Sequence, residues 1–163
     1  MSLDVPTWLV IAHSAGSSEL YWAIGAELLI LVWTALLVLA PFWGESKIGG
    51  ARFRLWGLGA ALLAAGITLA GKALEVLPGN PLFPSGHTAW AVTIAVFLVG
   101  RDRRWLPWVL PLLALLAVAL VLARYHIPVD IAGGLAVGLA VGCGAFALLS
   151  RSVARRGGAR RHA

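Results

Sequence analysis

The sequence is poor in charged residues and in cysteine. Only 12% of its 163 residues are charged, against about 25% in a soluble domain, so too few polar side chains are present to cover a water-soluble globule. The single cysteine, Cys143, excludes a disulfide scaffold and a zinc site built on cysteine pairs. With 60% hydrophobic residues and a mean hydropathy of +0.88, the chain is neither an ordinary cytosolic enzyme nor a disordered protein.

Long apolar segments are what the sequence has in quantity. Five of them reach or approach the roughly 20 residues that a helix needs to cross a bilayer, and they cover residues 20–43, 55–76, 85–100, 105–123 and 129–149. Unpaired backbone groups are not tolerated in lipid, so such segments span as helices. The sequence therefore predicts an all-α integral membrane protein, a single membrane-embedded domain whose bundle of about five transmembrane helices occupies residues 20–149.

Residues 1–19 have a different composition. Apolar side chains alternate there with Asp4, His13 and several serines, and the first basic residue of the chain is Lys47. The charged start of a secretory signal peptide is therefore missing. A short interfacial helix and a loose leader both fit this pattern, and we predict the helix.

The basic residues predict the orientation of the bundle. A pI near 10.8 is also typical of nucleic-acid-binding proteins, but here eleven of the 13 basic residues fall in three segments that five spans place on one side: 47–54, 101–104 and the basic tail at 150–163. The positive-inside rule makes that side cytoplasmic. We expect a multi-pass protein of the cell (inner, cytoplasmic) membrane that binds no nucleic acid, with its N-terminus outside and its C-terminus inside.

The two outer loops hold most of the candidate functional residues. Ser85 has the character of an N-cap before an apolar helix, with free N–H groups at Gly86 beyond it, and Pro128 suits a first helical turn. Both helix N-termini then face outward beside Lys72 and Arg124, which favours an anion with several oxygens, phosphate best of all. The alternative for Lys72 and Arg124 is that each extends its charged end to the membrane–water interface and does not contact phosphate.

Three further side chains suit phosphoryl transfer. His126 and Asp130 are four residues apart and share one helix face, so the carboxylate is able to fix the imidazole tautomer and leave its second nitrogen free to attack. His87, from the other loop, is placed to protonate a leaving oxygen. We predict His126, His87 and Asp130 as catalytic residues, which supply the groups that phosphoryl transfer requires without a cofactor.

Two polar residues have open roles. Glu27 lies inside the first apolar segment, where a charge needs a partner or water, so it is either a polar contact within the bundle or a residue on the substrate side. Asn80, in the first outer loop, is a further candidate for phosphate contact. Glycines 134, 138 and 142 recur every four residues in the last segment and favour close helix packing inside the bundle over a dimer interface.

Pro84-Ser85-Gly86-His87, followed by His126-x-x-x-Asp130, resembles the type 2 phosphatidic acid phosphatase (PAP2) superfamily of membrane lipid phosphatases, whose pattern is KxxxxxxRP, PSGH and SRxxxxxHxxxD. The resemblance covers residues 72–138. It implies a metal-independent helical bundle in which His126 forms a phosphohistidine, Asp130 orients it and His87 protonates the leaving group. Two motif arginines are absent. Gly79, followed by Asn80 and Pro81, stands seven residues after Lys72 in the first motif, and Leu120 stands six residues before His126 in the third, where Arg124 lies two residues before the histidine instead.

The resemblance implies a lipid phosphatase that acts at the outer leaflet, with a membrane lipid phosphate or pyrophosphate as its substrate. Undecaprenyl pyrophosphate is the preferred substrate, with a phosphatidate or phosphatidylglycerol phosphate next. Two other functions stay open. The phosphohistidine is able to pass its phosphoryl group to an alcohol, as in a head-group transferase, and a non-catalytic bundle is able to bind lipid phosphate without hydrolysing it.

Overall fold

The computed structural model describes residues 17–42 and 48–159, which form helices joined by short turns. Five α-helices follow one another along the chain: α1 (Ser17–Leu39), α2 (Gly50–Ala73), α3 (Gly86–Arg101), α4 (Leu106–Leu122) and α5 (Pro128–Ala159). Short 3-10 turns, Ala40–Phe42 and Arg103–Trp105, follow α1 and precede α4. Within the described part of the chain there is no β-strand, so the predicted all-helical membrane bundle is confirmed.

Four of the five helices are long and apolar enough to cross a membrane. These spans are Ser18–Phe42, Gly50–Ala73, Arg103–Leu122 and Pro128–Arg155. The remaining helix, α3, has 16 residues, or about 24 Å at 1.5 Å per residue, which is less than the hydrocarbon thickness of about 30 Å. The predicted segment 85–100 is therefore a helix of the bundle that is too short to span the membrane by itself.

The ends of the bundle differ in detail from the predicted boundaries. Helix α1 already begins at Ser17, and the rest of the predicted interfacial helix lies outside the described residues. Helix α5 continues beyond residue 149 to Ala159, so the first part of the predicted tail is helical. Residues 150–155 include good helix formers such as Ala and Arg, which favour this extension. Residues 160–163 lie outside the described part.

Helix α3 occupies the centre of the bundle. Nine of its 16 residues are buried, and it packs against all four other helices of the described chain, α1, α2, α4 and α5. The contact with α5 is close because that helix presents glycines: a Cβ at Gly138 would lie 2.8 Å from the carbonyl oxygen of Ala89, and one at Gly134 only 2.8 Å from the Cβ of Thr88. The predicted role of the glycines in packing inside the bundle is confirmed, and this contact fixes α3 against α5 at the end that carries the motifs.

The apolar core fills the space between α3 and the other helices. Its largest buried side chains are Trp33 and Leu37 of α1, Phe53 of α2, and Phe97 of α3. The Phe53 and Phe97 rings pack edge to face with their centroids 5.8 Å apart, a favoured aromatic geometry. These four side chains lie in the half of the bundle farther from the two predicted outer loops, and the buried cluster continues to Leu116 and Leu120 of α4 near the motif-bearing ends.

Candidate active site

The centre of the site is a buried histidine–aspartate pair. Nδ1 of His126 lies 3.2 Å from Oδ2 of Asp130, and the two residues are only 6% and 1% exposed. An ionised carboxylate only accepts hydrogen bonds, so Nδ1 carries the hydrogen and Nε2 is left with a free lone pair. The four-residue spacing predicted this pair, and the structure brings it together.

Asp130 is held by more than its histidine. Its Oδ2 also accepts a hydrogen bond of 3.1 Å from the backbone N–H of Ile127, and its Oδ1 accepts one from the side-chain amide of Asn80. The carbonyl oxygen of that amide in turn accepts from the N–H of Leu82. Both ends of the Asn80 side chain thus have hydrogen-bond partners, and its amide supports the carboxylate. The contact of Asn80 with phosphate stays a prediction.

The first motif loop is tied to the second by a backbone bond. The N–H of Ser85 donates to the carbonyl oxygen of Asp130 over 2.9 Å. The buried Ser85 side chain is the predicted N-cap, since its Oγ accepts from the N–H of Thr88 at 3.3 Å and from the Thr88 hydroxyl at 3.1 Å. Ser85 therefore fixes the start of α3 next to the start of α5.

His87 lies in the first turn of α3, facing the buried pair. Its ring centroid is 6.2 Å from that of His126, at an interplanar angle of 64°, and 6.2 Å from that of Tyr125, with the planes nearly parallel at 25°. On its other side, Nε2 of His87 lies 3.0 Å from Oε1 of Glu27. The two predicted catalytic histidines therefore meet, and Glu27 joins them from α1.

A small cavity beside His87 holds the predicted lysine. Its volume is about 380 Å³, and its lining includes Lys72, Gly86, His87 and Thr68. The backbone of Gly86 approaches α2 closely, since a Cβ there would lie 3.2 Å from the Thr68 hydroxyl oxygen. An ammonium group and the N-terminus of α3 therefore border the same space, which suits an anion.

The second predicted cation has a different position. Nε of Arg124 lies 2.8 Å from Oε1 of Glu19, and the Arg124 side chain is 81% exposed. Arg124 has a positive φ of 55°, in the turn where the N–H groups of Tyr125 and His126 both donate to the carbonyl oxygen of Leu120. Leu120 itself is fully buried, so the motif position that it occupies faces the core, and the guanidinium of Arg124 lies at the rim.

The environment of His126 favours its neutral form. Burial lowers the pKa of the His126 imidazole. The hydrogen bond that His126 donates to Asp130 opposes this effect, and the positive charge of Lys72 and the neighbouring His87 add to it. Burial also raises the pKa of the Tyr125 phenol, as does the negative charge of Glu27. A neutral imidazole with one nitrogen fixed and the other free has the form of a nucleophile or a base.

Several contacts were missed by reasoning from the sequence. Nothing in the sequence pointed to the backbone bond from Ser85, to the pairing of Arg124 with Glu19, or to Asn80 as a partner of Asp130. For Glu27 there was a signal, a lone carboxylate in an apolar segment, but not its partner. Within residues 17–42 and 48–159, no three His, Cys, Asp or Glu side chains converge as a metal site requires.

The arrangement agrees with the comparison to known families. A family model described as the PAP2 superfamily matches residues 18–154, which include all five helices almost completely. No curated protein and no solved structure matches the chain. Since the family match extends over most of the sequence and contains both histidines and the aspartate, this chain belongs to the PAP2 superfamily.

Proposed function

We propose that the protein hydrolyses a lipid phosphate or pyrophosphate through a phosphohistidine intermediate, without a metal. The observation that carries this proposal is the buried His126–Asp130 pair, which faces His87 with the centroids of the two histidine rings 6.2 Å apart. Nε2 of His126 attacks phosphorus as the bond to the lipid oxygen breaks, and that oxygen takes a proton from His87. Water then attacks the phosphohistidine, with His87 as the base, and phosphate leaves.

The cavity beside His87 suits the phosphate. Lys72 and the N-terminus of α3 border it, so positive potential meets the equatorial oxygens whose charge must be stabilised during transfer. Arg124 lies at the rim, paired with Glu19, and we propose that it turns to the phosphate when a substrate enters. Gly86 contributes its backbone N–H at the helix start, and Ser85 caps that start while its own N–H bonds Asp130.

The depth of the site supports a lipid as substrate. Glu27, which contacts His87, is ten residues after the start of α1 at Ser17, about 15 Å along the helix. A phosphate anchored in a membrane reaches such a recessed site while its chain stays in lipid. Within the PAP2 superfamily we prefer undecaprenyl pyrophosphate, with phosphatidate or phosphatidylglycerol phosphate next.

The proposed orientation places the site at the outer leaflet. The described arginines near the far ends of the helices, Arg52 and Arg54 in α2, Arg101 in α3 and Arg151 in α5, lie opposite the site, and the positive-inside rule makes their side cytoplasmic. A cysteine introduced at Glu75, in the turn after α2, should react with a membrane-impermeant maleimide in intact cells; a cysteine at Arg103 should not.

Phosphate release by the purified protein tests the function. In detergent with EDTA, the wild type should release phosphate from at least one of undecaprenyl pyrophosphate, phosphatidate and phosphatidylglycerol phosphate. His126→Ala should abolish release, and His162→Ala is a matched control that should not. Equal release by wild type and His126→Ala would exclude the phosphohistidine route, and loss of activity with EDTA would indicate metal-assisted hydrolysis. Transfer of the phosphoryl group to an added alcohol would instead indicate a head-group transferase.

A further inference from the structure

One carboxylate stands well inside an otherwise apolar helix. Glu27 belongs to α1, where Ala23, Ile24, Leu28 and Leu31 line the same groove beside it, and its side chain is 59% exposed on the bundle surface. Charged residues in the middle of a membrane helix cost about 2.5–3.5 kcal/mol on insertion scales and usually have a function. A structural residue would not need to be acidic here.

The partner of Glu27 is a predicted catalytic residue. Oε1 of Glu27 lies 3.0 Å from Nε2 of His87, and in the described part of the chain this is its one hydrogen bond. The contact joins residues that are 60 positions apart, on α1 and α3. A carboxylate only accepts hydrogen bonds, so Nε2 of His87 carries a hydrogen in this arrangement.

The two histidines of the site thus use opposite nitrogens. His126 directs Nδ1 to Asp130 and keeps Nε2 free, whereas His87 directs Nε2 to Glu27 and keeps Nδ1 free. Each carboxylate fixes one ring orientation and one tautomer. With the ring centroids 6.2 Å apart, one phosphate ester is able to bridge the two free nitrogens.

We propose that Glu27 is a positioning residue that holds His87 as the proton donor, an inference that rests on the proposed function. In the first step His87 enters as the imidazolium, with a hydrogen on each nitrogen. The bond from Nε2 of His126 to phosphorus forms, the bond from phosphorus to the lipid oxygen breaks, and Nδ1 of His87 gives its proton to that oxygen. His87 then keeps the hydrogen on Nε2, bonded to Glu27. In the second step water attacks phosphorus, the N–P bond breaks, and the water proton goes to Nδ1.

Substrates with different leaving groups test the proposal. An alkyl phosphate such as a short-chain phosphatidate needs a proton on its leaving oxygen, whereas p-nitrophenyl phosphate releases a stable phenolate and needs little protonation. Leaving-group release in the first turnover isolates the step in which His87 gives its proton. Glu27→Leu should slow this release from the phosphatidate by about tenfold or more, with less than about threefold change for p-nitrophenyl phosphate. Glu27→Gln keeps an acceptor oxygen and should restore most of the rate, and Glu75→Gln, a matched loss of an exposed carboxylate, should match wild type.

The selective loss of activity on the phosphatidate must also depend on His87. His87→Ala should show the same selective loss, and adding Glu27→Leu to it should lower the rate no further, because the two residues act as one unit. Equal losses on both substrates, an effect on KM alone, or additive effects in the double variant would overturn the positioning role. If the wild type releases no phosphate from any substrate, the proposed function itself fails.

A spectroscopic measurement tests the contact without turnover. In protein labelled with ¹⁵N-histidine, long-range proton–nitrogen correlation should show His87 with its hydrogen on Nε2, assigned by the signal lost in His87→Ala. Glu27→Leu should remove this preference, and Glu27→Gln should keep it. An unchanged His87 spectrum in Glu27→Leu would overturn the inference even if the enzyme proves active.

Discussion

Asn80 donates its side-chain amide to Oδ1 of Asp130, while His126 bonds the other oxygen of the same carboxylate. In the family pattern an arginine stands seven residues after the lysine, where this chain has Gly79, and Asn80 follows directly. The neutral amide of Asn80 satisfies the buried carboxylate without adding a positive charge. The residue next to this motif position thus holds the carboxylate that pairs with His126.

Loss of the Asn80 amide should therefore reduce catalysis through Asp130. Asn80→Ala removes one hydrogen bond to a buried charged group, worth about 1.5–3 kcal/mol, and we expect kcat/KM to fall by about 10- to 100-fold. Leu82→Ala, a change in the same loop at an exposed side chain, is the control and should stay near wild type. Phosphate release from a short-chain lipid phosphate measures both, and equal rates for Asn80→Ala and wild type would contradict the role.

The pH dependence of the reaction should show the effect of the Lys72 charge on the pKa of His126. In the proposed mechanism His126 attacks as the neutral imidazole, and burial, Lys72 and His87 lower its pKa against the opposing effect of Asp130. The acid limb of kcat/KM should therefore lie below the ordinary histidine value of about 6.5. Lys72→Gln removes a positive charge, which raises the pKa of His126 and should move the acid limb to higher pH. Arg103→Gln, at the opposite end of the bundle, should leave the limb in place, and a shift to lower pH in Lys72→Gln would refute the argument.

The pair between Arg124 and Glu19 should limit substrate binding more than it stabilises the fold. An exposed ion pair contributes about 0–1 kcal/mol, so Arg124→Ala should change the free energy of unfolding by less than about 1 kcal/mol. If Arg124 turns to the phosphate, the same variant should raise KM several-fold. Glu19→Gln should lower KM, by no more than about fivefold, because the guanidinium no longer has a competing partner. An unchanged KM in both variants would remove Arg124 from the binding site.

The packing of α5 on α3 gives a stability test with a control in the same helix. Gly138→Ala places a methyl group 2.8 Å from the Ala89 carbonyl oxygen, whereas nothing lies within 4 Å of a Cβ at Gly144. Gly138→Ala should destabilise the protein by about 1–3 kcal/mol through overpacking. Gly144→Ala should be neutral or stabilising by up to about 1 kcal/mol, since alanine is the better helix former. Unfolding in mixed micelles measures both, and equal stabilities would contradict the close contact.

The sequence was sufficient where the relation between residues is local. The spacing of His126 and Asp130 gave their shared face, and the serine before an apolar run gave the N-cap at Ser85. The lengths of the apolar segments predicted the helices and their order along the chain. Each of these features depends on neighbours within one or two helical turns.

Contacts between separate helices could not be predicted from the sequence. Whether Glu27 meets His87 depends on how α1 is rotated and how deep α3 begins, which the packing of the whole bundle decides. The direction of the Arg124 side chain depends on a turn with positive φ that the sequence did not reveal. The shortness of α3 was visible in the sequence, but its place at the centre of the bundle was not.

The bond from the Ser85 N–H to the Asp130 carbonyl joins two main-chain atoms. Every residue except proline supplies the same N–H, so this link is indifferent to most side-chain substitutions on either side. The backbone link alone therefore tolerates sequence change in residues 74–83, which precede Ser85, provided that Asn80 is kept to hold Asp130. A loop rebuilt around Asn80 should leave the starts of α3 and α5 joined and the two histidines at the same separation.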